Sequence, residues 1–114
     1  MLEIKSATEL THLHIRLRGE LTSATAPQLD TALAVLLAGP AKPWVLDLEE
    51  LSFSSSAGLR VFLSYAKKVP NAGGRLVFCA VQPTVLEVLE MSGFTRILSL
   101  VSNADAARRL FAAS

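Results

Sequence analysis

The sequence is poor in the features that mark disulfide-rich, membrane-spanning and nucleic-acid-binding proteins. Cys79 is its only cysteine, which excludes an internal disulfide and a metal site built from several cysteines. No uninterrupted apolar stretch approaches the ~20 residues of a membrane-spanning helix, so we expect no direct insertion into a membrane. Eleven Lys and Arg residues stand against ten Asp and Glu, and this formal charge of +1 argues against nucleic acid as a partner.

The first ten residues contain no basic segment followed by an apolar one, because Glu3, Lys5 and Glu9 are spread among the apolar positions. A secretory signal is therefore not expected. Together with the single Cys79, this predicts a cytoplasmic protein. The 114 residues fit one domain, 1–114, which is long enough to bury a core of its own.

Polar and apolar residues alternate over residues 11–18, where Leu13, Ile15 and Leu17 occupy every second position. This period of two predicts a half-buried strand. Residues 2–6 alternate more weakly, so the chain is expected to open with a hairpin that turns near Thr8 and Glu9.

Start signals mark the helices in the rest of the chain. Thr25 and Gln28 have the spacing of a capping box, which predicts the start of the first helix. Pro83 suits the first turn of a later helix, and Ser102 with Asp105 predicts the cap of a terminal one.

Strand patterns alternate with these helices. The apolar runs 44–48 and 75–81 are typical of strands covered on both faces, and residues 97–101 suggest a short last strand. This order predicts an α/β fold: a mainly parallel sheet of four to five strands with an N-terminal hairpin, flanked by about four helices.

Three consecutive serines, Ser54, Ser55 and Ser56, directly precede an amphipathic helix and are expected to form an exposed cluster. Capping of the helix start is one interpretation. A docking surface is the other, because Ala57 and Gly58 are small and leave the first turn uncovered for another protein or a kinase. A phosphoryl group here would meet free N–H groups and the positive end of the helix dipole.

The spacing of Ser54, Ser56 and Gly58 is close to the G-x-S-x-G elbow of α/β-hydrolases. The first glycine of that motif is missing here. In hydrolases the acid and then the histidine follow the nucleophile, whereas His12 and His14 precede these serines. We therefore predict no enzymatic activity and no cofactor.

His12 and His14 lie on one face of their strand, as two metal ligands would. No third ligand is evident, and Arg16 and Arg18 continue the same face. The pattern therefore favours a solvated polar face over a metal site.

Two residues within the apolar runs, Cys79 and Asp47, have side chains with reactive or charged groups. Cys79 is expected to be a buried small hydrophobe and not a reactive thiol. Asp47 must find a partner or lie near the exposed end of its strand, where it would hydrogen-bond the serine loop. A purely structural hydrogen bond is the alternative for Asp47.

Charged residues flank the serine loop at Glu49, Glu50 and Arg60. They either give an interface its specificity or are ordinary surface charges.

Three segments resemble the bacterial anti-sigma factor antagonists of the STAS family. They read V-L-D-L-E-E-L-S-F-S-S-S-A-G-L, G-G-R-L-V-F-C-A-V-Q-P-T-V and L-E-M-S-G-F, and Gly19-Glu20-Leu21 is similar upstream. Together with the order of elements, the similarity covers nearly the whole chain. The Ser-Ala-Gly-Leu match at residues 56–59 implies that Ser56 is the family's phosphorylated serine.

The resemblance implies partner switching. In that family the unphosphorylated antagonist binds an anti-sigma factor that is also an ATP-dependent serine kinase, and this frees the sigma factor. Phosphorylation ends the complex, and a metal-dependent serine phosphatase restores it. The antagonist itself catalyses nothing.

Two positions differ from the family pattern. Ser55 stands where an aspartate normally precedes the phosphorylated serine, and Thr22 stands where an acidic residue often follows Gly-x-Leu. Both changes remove negative charge, which eases binding of an anion, and Ser54 and Ser55 become alternative acceptors. The residues expected to contact the partner are Ser54, Ser55, Ser56, Ala57, Gly58, Leu59, Arg60, Asp47 and Thr22.

A second hypothesis assumes the same fold but no control of binding by phosphorylation. The chain would then be a permanent STAS subunit of a lipid-transport ABC complex or of a larger signalling assembly. The serine loop would serve as an unphosphorylated contact. The sequence leaves this choice and the oligomeric state open.

Overall fold

The computed structural model describes residues 1–112, which form a five-stranded sheet flanked by helices. The elements are β1 (Leu2–Thr8), β2 (Leu13–Leu21), α1 (Ala26–Leu37), β3 (Pro43–Ser54), α2 (Ser56–Asn71), β4 (Arg75–Cys79), α3 (Pro83–Met91), a 3₁₀ turn (Phe94–Arg96), β5 (Leu100–Val101) and α4 (Ala104–Ala112). The strands lie side by side in chain order. β1 runs antiparallel to β2, and each later pair is parallel, so the predicted sheet and hairpin are confirmed.

Alternation along β3 separates two hydrophobic layers. Trp44, Leu46 and Leu48 belong to the core that also contains apolar residues of α1, α2 and α3. On the other face Val45 packs in a smaller cluster with Phe111 of α4. Both faces of this stretch are covered, which is why its sequence is almost continuously apolar. α4 contacts β3, β4 and β5, and the outer strands β1 and β2 keep charged, exposed side chains on this face.

The predicted capping box at the start of α1 is absent. The Thr25 hydroxyl donates to the Glu20 carbonyl at 3.0 Å and accepts from the Thr22 N–H at 2.8 Å. Gln28 Nε2 donates to the Leu2 carbonyl at 3.0 Å. Both side chains therefore join α1 to the two strands of the hairpin. Local spacing could not show this, because the carbonyl that Gln28 reaches lies far away in the chain.

β3 is longer than predicted, and its second half extends past β4. β4 pairs only with the first half of β3, whereas β2 pairs as far as Ser54. α3 covers the side that β4 leaves open, since Gln82 Nε2 donates to the Glu49 carbonyl at 2.6 Å and the Thr84 hydroxyl to the Ser52 carbonyl at 3.0 Å. The serine cluster therefore lies at the tip of this β3 extension.

The end of the chain differs in detail from expectation. The strand predicted over 97–101 is reduced to Leu100–Val101, after a 3₁₀ turn. Asn103, and not Ser102, caps α4, because Asn103 Oδ1 accepts the Ala106 N–H at 2.9 Å.

Candidate functional site

The three serines at the tip of β3 have three different environments. Ser54 is the last residue of β3 and only 3% exposed, and its hydroxyl donates to the Ser55 carbonyl at 3.2 Å. Ser55 is the N-cap of α2, and Ser56 is the first helical residue and is exposed. The prediction of an exposed cluster is therefore wrong for Ser54, because the strand carries that side chain inward.

Ser55 fixes the start of α2. Its backbone is extended, with φ −84° and ψ 174°, and its hydroxyl accepts the Gly58 N–H at 3.4 Å. Its own N–H donates to the Leu21 carbonyl at 2.8 Å, which ties the cap to the end of β2. The N–H groups of Ser56 and Ala57 have no partner within the helix. No acidic side chain lies in this first turn, so the helix start is a site of positive potential.

Gly58 is required by close packing beneath the first turn. A Cβ atom at this position would lie 2.5 Å from Leu21 Cδ2 and 2.7 Å from Ser54 Oγ. Gly58 is itself buried. The expectation that it leaves the turn uncovered is therefore wrong. Its missing side chain instead lets α2 approach β2 closely.

Gly58→Ala is expected to lower the free energy of unfolding by about 1–3 kcal/mol, because the added methyl group overpacks the contact with Leu21. Urea unfolding followed by circular dichroism measures the change. Gly39→Ala is the matched control, since the nearest atom to a Cβ there is the Leu36 carbonyl oxygen at 3.4 Å. Equal stability of the two variants would contradict the packing role of Gly58.

The other predicted contact residues divide between surface and core. Leu59 is buried in the main core, so it supports the surface from below. Arg60 is exposed and Ala57 is half-buried, beside Ser56 on the first two turns of α2. Thr22 begins the turn after β2, where its hydroxyl accepts the Thr25 N–H at 3.3 Å.

Phe53 is a surface residue that the sequence patterns did not single out. It lies in β3 two residues before the cap and is 47% exposed. In the sheet it pairs with Glu20. Aromatic residues are enriched in the cores of protein–protein interfaces, so the exposed Phe53 ring suits a contact surface. Its position gave no signal in the sequence, because two register shifts against β2 interrupt the alternation in the second half of β3.

Asp47 does not contact the serine loop. It is 2% exposed and lies seven residues before Ser54 in an extended strand, roughly 20 Å away. One carboxylate oxygen accepts from His14 Nε2 at 3.0 Å and lies 3.5 Å from the Arg16 guanidinium. The other accepts the Glu49 N–H at 3.1 Å. Asp47 therefore has the structural role that was the alternative interpretation.

The interpretation of His12 and His14 as part of a solvated face is also wrong. His12 is 1% exposed, and its ring lies 5.8 Å from the ring of Phe111 in α4. His12 Nε2 is 3.4 Å from His14 Nδ1, and the Thr11 hydroxyl is 3.0 Å from His12 Nδ1. With His14 bound to Asp47, these side chains form a hydrogen-bonded row beneath α4.

Acid is expected to destabilise the protein through His12. Burial, followed by the neighbouring His14, lowers the pKa of His12 below its ordinary 6.5, while Glu9 opposes this effect and Arg108 adds to it. The unfolded chain therefore binds the proton first. The stabilising contribution of His12 is present above about pH 6.5 and is lost as the pH falls below it, by up to ~1.4 kcal/mol per pH unit.

Urea unfolding between about pH 8 and pH 5 tests this pH dependence. His12→Phe keeps a ring against Phe111 and removes the titrating group. Its stability should fall less steeply below pH 6.5 than that of the wild type. Parallel pH profiles for the two proteins would show that His12 is not responsible.

Cys79 is buried, and this raises the pKa of its thiol to about 12, with Asp47 and Glu49 adding to the effect. The prediction of a buried small hydrophobe is confirmed.

Within residues 1–112 no group of three or more His, Cys, Asp or Glu side chains is placed to hold a metal ion. In the same part of the chain, every helix is too short or too polar to cross a membrane.

Comparison with known proteins places the chain in a family. The family model of the STAS domain matches residues 3–107. BtrV of Bordetella bronchiseptica, named as a candidate anti-sigma factor antagonist, is 42% identical over 95 residues, which are 83% of this chain and 82% of BtrV. An anti-sigma F factor antagonist of Paenibacillus polymyxa is 35% identical over 95 residues, which are 80% of this chain and 79% of the relative.

Solved structures share the fold. An anti-sigma factor antagonist from Mycobacterium paratuberculosis superimposes with a TM-score of 0.88 at 20% identity, covering 97% of this chain and 94% of the other. The unphosphorylated form of the anti-sigma factor antagonist SpoIIAA superimposes with a TM-score of 0.78 at 23% identity, covering 95% and 96%. By the match to the family model, and in agreement with the resemblance at residues 56–59, the chain belongs to the STAS domain family.

Proposed function

We propose that this protein is an anti-sigma factor antagonist, a regulatory binding protein and not an enzyme. The observation that carries the proposal is the exposed Ser56 at the start of α2, in a chain whose relatives are named antagonists of anti-sigma factors. Buried Ser54, Gly58 and Leu59 shape the contact surface from below, and Asp47 lies outside it. The proposed surface consists of Thr22, Phe53, Ser55, Ser56, Ala57 and Arg60.

Phosphorylation of Ser56 controls binding in this proposal. A phosphoryl group there would accept hydrogen bonds from the free N–H groups of the first turn. Arg60 lies four residues later, on the same helix face, within reach of an ion pair with the phosphate. No acidic side chain in the turn opposes the added charge. The modification therefore costs the helix little, while its charge of about −2 disrupts a docked interface.

The proposed partner is an anti-sigma factor that is also an ATP-dependent serine kinase, and a serine phosphatase reverses the modification. The Ser56 hydroxyl makes no hydrogen bond to another group of residues 1–112, so it is available to a kinase. We place the chain in the cytoplasm, where ATP-dependent kinases act, as a single regulatory domain spanning 1–114.

Purification of the tagged protein from its native host tests the proposed function. Mass spectrometry of the associated proteins should identify an anti-sigma factor, with phosphate on Ser56 in part of the recovered chain. Stable recovery of a membrane transport ATPase, independent of the state of Ser56, would overturn the proposal. That result would support the permanent-subunit hypothesis instead.

Phosphate transfer with the purified anti-sigma factor tests the assignment of the acceptor. Ser56→Ala should abolish incorporation of phosphate from ATP. Ser54→Ala and Ser55→Ala are the matched controls and should keep most of it, because Ser54 is buried and the Ser55 hydroxyl accepts the Gly58 N–H. If only Ser55→Ala abolished incorporation of phosphate, the acceptor would be the cap residue, Ser55.

A further inference from the structure

β1 is a sheet edge with outward backbone groups that the sheet itself does not pair. The Glu20 N–H donates to the Met1 carbonyl at 3.0 Å, so the polar groups of Met1 point toward β2. Strand alternation then turns those of residues 2, 4, 6 and 8 outward. The opposite edge, β5, has only two residues. The seven residues of β1 therefore form the edge that is long enough to add another strand.

The charge pattern of β1 is complementary to that of β1 in a second, antiparallel copy of the chain. If two copies pair antiparallel about Ile4, Glu3 of each copy lies opposite Lys5 of the other, and Ile4 lies opposite Ile4. A register centred on Lys5 would instead place two like charges opposite each other, which is unfavourable. The Glu3 and Lys5 side chains are 55% and 77% exposed and pair with each other at 3.7 Å within one copy, so each can exchange that ion pair for one with the second copy. Charge therefore selects the register about Ile4.

The backbone geometry fits the same register. Ile4 is an outward residue, so two copies exchange both N–H and carbonyl groups there as a hydrogen-bonded pair. Leu2 lies opposite Ser6 in the same way. Gln28 Nε2 already donates to the Leu2 carbonyl, but a carbonyl oxygen has a second lone pair for the Ser6 N–H.

An apolar stripe of α1 runs beside this edge. Val35 is 70% exposed, and a groove between α1 and β1 is lined by Ile4, Ala32, Val35 and Leu36 together with Ser6 and Gln28. A two-fold axis through the paired strands places both α1 helices on the same face of the joined sheet. The two apolar stripes then face each other across the axis, so strand pairing also covers apolar surface.

We propose that β1 is a self-association edge, at which two copies of this chain pair antiparallel about Ile4 and join their sheets. Ser56 lies at the start of α2 and not on β1, so both copies keep it exposed.

Sedimentation velocity at micromolar to millimolar concentrations tests the dimer. Lys5→Glu should raise its dissociation constant about 30-fold, because two attractive pairs become repulsive. Adding Glu3→Lys in the same chain should restore the wild-type constant, since the pairs are then reversed. Lys67→Glu on the exposed face of α2 makes the same change in net charge and should have no effect.

Two further readouts locate the interface. Ser6→Pro removes an outward N–H from an exposed position, so it should weaken the dimer and leave the fold intact. In a mixed sample with one copy isotope-labelled, NMR should show contact between the α protons of Glu3 and Lys5 of different copies. A monomer at every concentration would overturn the proposal. So would a dimer that Lys5→Glu and Ser6→Pro leave unchanged.

Discussion

Ser56→Asp is expected to weaken binding to the anti-sigma factor about 100-fold, whereas Ser56→Ala should bind as tightly as the wild type. The aspartate puts a negative charge into the docked surface, where the partner has no matching cation, at a cost of ~3 kcal/mol. Alanine removes only a hydroxyl that has no hydrogen-bond partner in residues 1–112. Titration calorimetry with the purified anti-sigma factor measures both dissociation constants.

Ser92→Asp is the control for this charge change. Ser92 is an exposed residue at the C-terminal end of α3, the helix end opposite the Gln82 and Thr84 contacts with β3. It should leave binding within about twofold of the wild type, which is the usual range for a remote surface substitution. Equal binding by Ser56→Ala and Ser56→Asp would remove the switch from the proposed function.

Asp47→Ala is expected to lower the free energy of unfolding by about 3 kcal/mol. The buried Asp47 accepts from His14 and from the Glu49 N–H, and the Arg16 guanidinium is its third partner. Removing the carboxylate leaves these donors unsatisfied between β2, β3 and α4. Urea unfolding measures the loss, which should also lower the midpoint of thermal unfolding.

Two variants distinguish the contribution of the buried Asp47 carboxylate to stability from that of an ordinary exposed ion pair. Asp47→Asn keeps an oxygen for the Glu49 N–H, so it should lose only about 1–2 kcal/mol. Glu50→Ala breaks an exposed ion pair with Arg18 at 3.4 Å, which should cost less than ~1 kcal/mol. A loss for Asp47→Ala no larger than that for Glu50→Ala would contradict the buried role of Asp47.

Local patterns were sufficient for the order of the elements and for the class of fold. Leu13, Ile15 and Leu17 alternate because one face of β2 packs on the core, and that periodicity is visible without the structure. Element ends were less predictable. β3 continues to Ser54 because β2 and α3 satisfy its backbone, and both partners lie far from it in the chain.

The candidate site was predicted in part. The match at residues 56–59 identified Ser56, and the structure leaves that residue exposed at the start of α2. Ser54 and Gly58 were assigned to the surface, yet both are buried against neighbouring side chains. Phe53 was not predicted because two register shifts against β2 change which face each residue in the second half of β3 occupies, and periodicity does not show such shifts.

The amino-acid sequence predicted the mainly parallel α/β sheet, its hairpin and the start of the helix after the serines without the structure. It did so because apolar periodicity, glycines and prolines act within a few residues of each other. The buried row of His12, His14 and Asp47 and the packing role of Gly58 are evident only when the folded chain is seen. Both features depend on which distant element packs against these residues: α4 against the row, and β2 against Gly58. The periodicity of the sequence does not show which distant element that is.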